Sequence, residues 1–475
     1  MIPLPVAELI SVVRGEPHDI PESPPPVTGP VVIDSRLAEP GSLFAALPGE
    51  RVDGHDFAAR AVAAGAVAVL ATRPVGVPAV VVPDVTAALG TLARHVVGRL
   101  GTSVVALTGS SGKTSTKDLI AQLLRRTGPT VWTPDSFNNE IGLPLTALRG
   151  EVGTRHLVLE MGARGIGHIR YLTSLTPPRV GVVLNVGTAH LGEFGGKEAI
   201  ATAKGELVEA LPPAEEGGVA VLNADDPLVR AMAARTRART LLFGERTAEE
   251  VAVRAADVRL TPQGTPAFRL ITPTGCADVT MRLYGEHHVS NALAAAAVAH
   301  EAGMSAEAIA ETLATAGPLS KWRMEVTERA DGVTIVNDAY NANPDSMRAA
   351  LRALVAMGRG RRTWAVLGPM AELGDESLAE HDAVGRLAVR LNVSKLVSVG
   401  GREAAWLDMG AKNEGSWGEE SVHVSDAQAA VELLRGELRP GDVVLVKASR
   451  AVGLEKVALA LASDADGVEG EVAAR

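Results

Sequence analysis

Residues 108–114 read TGSSGKT, directly after a continuous apolar run at 103–107 (SVVAL) and directly before a helical pattern at 115–126. No other stretch constrains the fold as much. An unbroken apolar strand is buried on both faces, as in the middle of a parallel sheet. A glycine turn leading into a helix then aims backbone N–H groups and the positive helix end at one point, which is where an anion sits. Gly109 and Gly112 let the backbone turn tightly. Lys113 has the reach for β- and γ-phosphates, and the Thr114 hydroxyl can ligate Mg²⁺. Thr108, Ser110, Ser111 and Ser115 complete the loop. The longer form of the motif has a further glycine five positions before Gly112; Leu107 stands there, so this is the shorter G-x-x-G-K-T form. The expected ligand is ATP or GTP.

Around this corner the chain divides into three. Its 475 residues correspond to about three domains at ~100–200 residues each. Residues 1–100 read as a small α/β unit, with β-rich runs at 31–33, 66–70 and 79–82, helical patterns at 56–64 and 85–100, and a proline-rich loop at 20–30. Residues 101–317 read as a central parallel-sheet domain. Its strands fall at 103–107, 156–159, 179–184 and 219–222, with antiparallel alternation over 251–281 and an alanine-rich helix at 291–303. Residues 318–475 alternate strand and helix: strands at 333–337, 363–367, 395–399, 421–424 and 442–446, helices starting near Pro344, Glu376, Arg402, Asp426 and Arg450. That is a doubly wound, Rossmann-like α/β domain with a frayed, polar end.

Two further residues suit metal chemistry. Glu160 ends the run HLVLE, at the carboxyl edge of the sheet, where ligands of α/β folds bind. It is either a second Mg²⁺ anchor or a solvated strand-end acid. His190 follows the next apolar strand (VGVVLNVGTAH) and is either a ligand or a structural histidine. Composition narrows the field elsewhere. A formal charge of −10 argues against sequence-independent nucleic-acid binding, which needs a basic surface. One cysteine, Cys276, leaves no internal disulfide framework, Cys-rich zinc site or cysteine-ligated cluster. No window approaches the ~18–20 apolar residues of a membrane span, and no basic segment leads into an apolar one at the N-terminus. A cytoplasmic protein is expected.

The segments TGSSGKT, FNNEIGLPLT (137–146), LEMGA (159–163), NVGTAH (185–190), AKGEL (203–207), GEHHVSNALAAAA (285–297) and YNANPDSM (340–347) occur in the order found in the Mur ligases of peptidoglycan synthesis. The resemblance runs from IDSR at 33–36, through PGSLFAALPGERVDGHDF at 40–57, to VLVKASR at 444–450, and so covers nearly the whole chain. FNNEIG, YNANPDSM, MAELG (370–374) and the K-x-S-R ending resemble the branch that adds D-alanyl-D-alanine to UDP-N-acetylmuramoyl-tripeptide. The D-N-P-R motif of the diaminopimelate- or lysine-adding branch is absent.

The resemblance implies an ATP-dependent amide ligase working through an acyl phosphate, with a UDP-binding first domain, an ATP-binding second and a third that closes over the nucleotide. It implies that Lys113 holds the β/γ-phosphates, that Thr114 and Glu160 hold one Mg²⁺, and that His190 holds a second. Lys204 matches the lysine that this family carbamylates to help hold the second ion. At a pKa of ~10.4, only about one lysine in 10³ is neutral at pH 7, so Lys204 needs a depressed pKa to react with CO₂. Asn291 matches the adenine contact, Arg323 an arginine reaching ATP from the third domain, and Asp338 an acid on the ribose side. Ser35 and Arg36 fall at the UDP end, Asn138, Asn139 and Glu140 along the muramoyl-peptide path, and Tyr340, Asn341 and Asn343 near the incoming dipeptide. A monomer is expected. The chain departs from the family pattern at His288 (usually asparagine), at Asn337 and Ala339 beside Asp338, at Pro369 and at Ala448. None of these removes a phosphate or metal position. A folylpolyglutamate-synthase-like ligase shares the ATP site, but the DSR and DGHDF segments favour the UDP-sugar. A P-loop switch is disfavoured because no N-K-x-D motif is present.

Overall fold

The computed structural model describes residues 1–49, 52–187, 196–245, 250–415 and 419–463, which form three sheets, each from one continuous stretch of chain. The first holds β1 (Glu16–His18), β2 (Val31–Val32), β3 (Leu43–Ala45), β4 (Ala68–Ala71) and β5 (Ala79–Val81) in the order β1-β5-β4-β3-β2. Its members pair in parallel except for β1.

The central sheet contains β6 (Ser103–Thr108), β7 (Thr130–Trp132), β8 (His156–Glu160), β9 (Val180–Val183), β10 (Val219–Asn223), β11 (Arg239–Gly244), β12 (Val253–Leu260), β13 (Pro266–Thr272) and β14 (Gly275–Thr280). Their order is β14-β13-β12-β11-β10-β9-β6-β8-β7. The strand before the glycine loop is thus flanked by β8 and β9, which carry Glu160 and the approach to His190. β12 to β14 are antiparallel, as the alternation at 251–281 predicts, and extend the same sheet.

The third sheet runs β15-β16-β20-β17-β18-β19, from β15 (Glu325–Glu328), β16 (Thr334–Asn337), β17 (Thr363–Leu367), β18 (Lys395–Val399), β19 (Ser421–Val424) and β20 (Val443–Lys447). The outer β15 is antiparallel and the rest are parallel.

The cores show how these units join. Helix Val85–Leu100 starts at an Asp84 cap, which accepts from the Thr86 and Ala87 N–H groups, and ends at left-handed Gly101. Its apolar residues belong to one core shared by the first sheet and one face of the central sheet. The close approach is visible at Gly90, where a Cβ would stand 2.9 Å from Leu175 Cδ2. The helix that closes the first α/β unit is thus apolar enough to serve both neighbours. The alanine-rich helix His288–Glu301 packs on the opposite face of the central sheet together with helix Lys113–Leu124. Small side chains there allow that close packing.

Several element ends differ from the sequence reading. Helix Lys113–Leu124 begins two residues before the expected start, because the lysine and threonine of the loop already form its first turn. The helix expected at Arg450 is a short 3₁₀ turn, Arg450–Val452, stopped by left-handed Gly453, and the last helix is Glu455–Ser463. The helical pattern at 56–64 opens as a 3₁₀ turn, Gly54–Phe57, before helix Ala58–Ala63.

Candidate active site

The glycine loop sits at the carboxyl edge of the central sheet, and its shape depends on a distant segment. Two residues beyond β9, Asn185 Oδ1 accepts from the Ser110 and Ser111 N–H groups at 2.9 and 3.0 Å, and its Nδ2 donates to the Ser111 carbonyl. The Gly187 N–H donates to the Ser110 hydroxyl at 2.9 Å. Gly112 has φ +78°, and a Cβ there would lie 2.6 Å from Asn291 Oδ1. Both facts require glycine. Helix Lys113–Leu124 presents its first turn to the cleft, and the N–H groups of a first turn have no acceptor within the helix.

Lys113 is half-buried, and its Nζ donates to the Gly109 carbonyl at 2.7 Å. That burial pulls its pKa below the ordinary lysine value; the Glu160 carboxylate opposes the shift and the Arg323 guanidinium adds to it. Glu160 is fully buried at the end of β8. Its Oε1 accepts from Ser136 Oγ (3.0 Å) and Asn138 Nδ2 (2.7 Å), while Oε2 has no hydrogen-bond partner among the described residues. Thr114 Oγ1 lies 3.3 Å from Ser136 Oγ and accepts from Arg323 Nη2 at 3.2 Å. A buried carboxylate with one oxygen unmatched, close to a threonine hydroxyl in a phosphate corner, fits a hard, oxygen-seeking cation such as Mg²⁺.

Lys204, on helix Lys197–Glu209, is also buried. Burial, and then the charge of Lys113, hold its pKa well below that of a free lysine. The side chain is therefore biased toward the neutral amine. His190 lies outside the described residues.

The third sheet supplies the opposite wall. Arg323 precedes β15 and stacks 4.4 Å over the Tyr340 ring; its Nε is buried and unpartnered among the described residues. Asn343 caps helix Pro344–Met357 in a capping box with Ser346, and its Nδ2 donates to the Ser110 carbonyl at 3.3 Å. One cleft of roughly 450 Å³ therefore has the glycine loop, Glu160 and Asn138 on one side, with Arg323, Tyr340, Asn341 and Asn343 on the other.

Other expected residues stand apart from it. Asn291 is buried with its side chain against Gly112, behind the loop. Asp338 is buried and committed to protein partners: Lys447 Nζ at 2.6 Å and the Met324 N–H at 3.1 Å. Asn139 Oδ1 accepts from the Gly142 N–H at the start of the short helix Gly142–Ala147. Glu140 faces Arg164 and His168 at 3.8 and 3.4 Å on the cleft's flank. Ser35 is buried and Arg36 exposed in the first domain, and neither lines the cleft. Arg36 bonds to Asp34, holding that carboxyl down at about 2.

Sequence reasoning passed over Ser136, which bridges Thr114 and Glu160, and Asn185, which shapes the loop. It also missed Lys447, which neutralises Asp338, and Arg450, which lines the cleft and stacks 4.4 Å over Trp322. Asn185 and Lys447 each fall within or just past a parallel-strand end, a signal that could have found them.

The fold and the cleft define a P-loop protein whose glycine loop opens into a cleft walled by segments of the central and third sheets. The sequence matches the Mur ligase family, catalytic domain over 30–96, the Mur ligase middle domain over 107–299 and the Mur ligase, glutamate ligase domain over 322–450. It is 50% identical to the UDP-N-acetylmuramoyl-tripeptide--D-alanyl-D-alanine ligase of Mycobacterium tuberculosis, over 98% of each chain. The enzyme of that name in Escherichia coli is 38% identical, over 91% of this chain and 93% of its own. Among solved structures, MurF from Acinetobacter baumannii superposes with a TM-score of 0.84 at 33% identity, covering 97% of this chain and 99% of its own. MurF ligase from Thermotoga maritima in complex with ADP superposes at 0.78 and 31%, covering 93% and 99%. The chain belongs to the Mur ligase family.

Proposed function

We propose that the three domains, 1–100, 101–317 and 318–475, together carry out one reaction. The protein is an ATP-dependent ligase that joins D-alanyl-D-alanine to UDP-N-acetylmuramoyl-tripeptide, giving the pentapeptide, ADP and phosphate for peptidoglycan synthesis. The relatives of that name, matched along nearly the full chain, support this reading. The observation that carries the chemistry is the convergence of cations from two domains. Lys113 on the glycine loop and Arg323 and Arg450 from the third domain line one cleft, a convergence of positive charge that suits a polyanion.

A carboxylate is a poor electrophile. Transfer of the γ-phosphoryl group to the tripeptide's terminal carboxylate creates an acyl phosphate. The free amine of the dipeptide then attacks it, and the tetrahedral adduct collapses to amide and phosphate. Lys113 and Arg323 neutralise charge on the moving phosphoryl group, and the cleft aligns the partners. Thr114 and Glu160 would hold one Mg²⁺, which supplies further neutralisation of the phosphates. Lys204, neutral enough to react with CO₂, would as a carbamate join His190 in holding a second. Asn291 and Asp338 serve the nucleoside end, Ser35 and Arg36 the UDP end. Asn138, Asn139 and Glu140 border the muramoyl-peptide path, and Tyr340, Asn341 and Asn343 the dipeptide. No described helix is long and apolar enough to cross a membrane. With ATP and a UDP-linked precursor as substrates, the enzyme works in the cytoplasm, as a monomer whose own two domains complete the cleft. The test is ADP release with mass spectrometry of the product. Rapid turnover should need both the UDP-linked tripeptide and the dipeptide, and the product should gain the mass of one dipeptide less water. Equal ATP consumption without either partner would refute the assignment.

A further inference from the structure

Helix Lys113–Leu124 carries a buried ion pair that the chemistry above does not use. Lys117 is fully buried and Asp118 nearly so, with Lys117 Nζ 3.0 Å from Asp118 Oδ1. Buried charges persist where they are paired and hydrogen-bonded, and the partners of this pair lie on two other segments. Asp118 Oδ2 accepts from the Leu319 and Ser320 N–H groups at 3.1 and 2.9 Å, and Oδ1 accepts from Ser320 Oγ at 3.0 Å. Lys117 Nζ donates to Ser320 Oγ and to the Asp135 carbonyl, both at 2.8 Å. One turn along, Gln122 exchanges two hydrogen bonds with the backbone of Gly317.

Residues 317–320 thus belong to the connection between the second and third domains, yet they are fastened to the helix that begins with the phosphate-binding lysine. Immediately beyond the fastened stretch comes Arg323, flanked by Trp322 at φ +56° and Met324 at φ +52°. Side-chain-bearing residues adopt such left-handed conformations only where surrounding contacts impose them. The Met324 N–H is held by Asp338 on the far side. On the other side of Lys117, the Asp135 carbonyl it holds precedes Ser136, the bridge between Thr114 and Glu160.

We propose that Asp118, with Lys117, is a positioning residue for the transfer step: it clamps the interdomain connection at Leu319–Ser320 so that the strained turn delivers Arg323 to Thr114. This rests on the ligase reading above. Asp118 does not line the cleft and acts through Arg323, so its loss should matter only where Arg323 is able to act.

The test is a double-mutant cycle on the full-length enzyme, with Asp118→Asn, Arg323→Lys and the double variant assayed for pentapeptide formation. Asparagine keeps the size of the side chain but cannot accept all three donors from 319 and 320. Asp118→Asn should lower kcat at least tenfold with KM for ATP within twofold, and should cost less than twofold in the Arg323→Lys background. Multiplicative effects, or a kcat unchanged by Asp118→Asn, would overturn the proposal. If Asp118→Asn does not fold, as judged by circular dichroism and melting, Ser320→Ala goes through the same cycle. It removes the hydroxyl shared by Lys117 and Asp118 and is read by the same two outcomes. Failure of the parent enzyme to form pentapeptide would refute the ligase reading; a competent parent with a multiplicative cycle would refute only the clamp.

Discussion

Lys204 and Lys113 are both lysines whose surroundings strip water from the ammonium group, yet their neighbours differ. Lys113 has the Glu160 carboxylate to support its charge, whereas for Lys204 burial comes first and then the repulsion of Lys113 itself. The charged form of Lys113 is therefore better supported than that of Lys204, as the proposed phosphate and carbamate roles require. Replacing Lys204 with alanine should reduce turnover by at least about a hundredfold, on the scale of losing one preorganised charge-stabilising group. Short-chain carboxylic acids should restore part of it by occupying the carbamate's place. Retained nucleotide affinity without any rescue, in a titration of acetate against initial rate, would remove Lys204 from the metal site. This residue was legible only through its motif: an isolated lysine in AKGEL shows nothing of its burial, which comes from how helix Lys197–Glu209 lies against the sheet.

At the scale of elements, His288 opens the alanine-rich helix, and neither ring nitrogen has a hydrogen-bond partner among the described residues. Its ring lies 4.3 Å from that of His287. Burial holds His287 down at about 4; for His288 burial, and then His287, push the pKa well below the usual 6.5. In the unfolded chain both titrate near 6.5. Between pH 6.5 and about 4 the unfolded state therefore binds more protons than the folded one, and stability falls as the medium is acidified. Each such histidine adds a slope of up to about 1.4 kcal/mol per pH unit. His288→Asn should flatten that acid limb in denaturant titrations at pH 7, 6 and 5; an unchanged slope would count against a neutral, buried His288. Most strands were readable because both faces are covered: SVVAL, HLVLE, TWAVL and KLVSV are nearly unbroken apolar runs within the elements they form. Several elements passed over lack such a run, although β3 (LFA) and β11 (RTLLFG) were also passed over despite their apolar residues. β7 has three half-buried residues, β15 is a mostly exposed outer strand, and helix Val6–Val13 has a proline rather than a side-chain cap at its start.

On the scale of the molecule, the cleft has both its walls only while the third domain rests on the glycine loop. That contact is built from Asn343 on the Ser110 carbonyl, Arg323 on Thr114, and the start of helix Pro344–Met357 against Gly187. A Cβ on Gly187 would stand 2.2 Å from Asp345 Oδ2 and 3.2 Å from Ser110 Cβ. Gly187→Leu should therefore prop the domains apart, lowering kcat by at least about tenfold through lost alignment, and should raise the radius of gyration in small-angle scattering with both substrates present. A compact, fully active variant would show that the seating is looser than drawn. From sequence, the three-part division and the loop could be read, but not the seating: the residues that meet across the cleft are more than 150 positions apart, and no local pattern records their meeting. The same separation governs how the protein comes into being on the ribosome. The loop's two serine amides are gathered by Asn185, some 75 residues downstream. A nascent chain that displays TGSSGKT but ends short of Asn185 has the letters of a nucleotide grip without its shape, so the growing polypeptide stays blind to ATP until β9, the third strand after the loop, has been made.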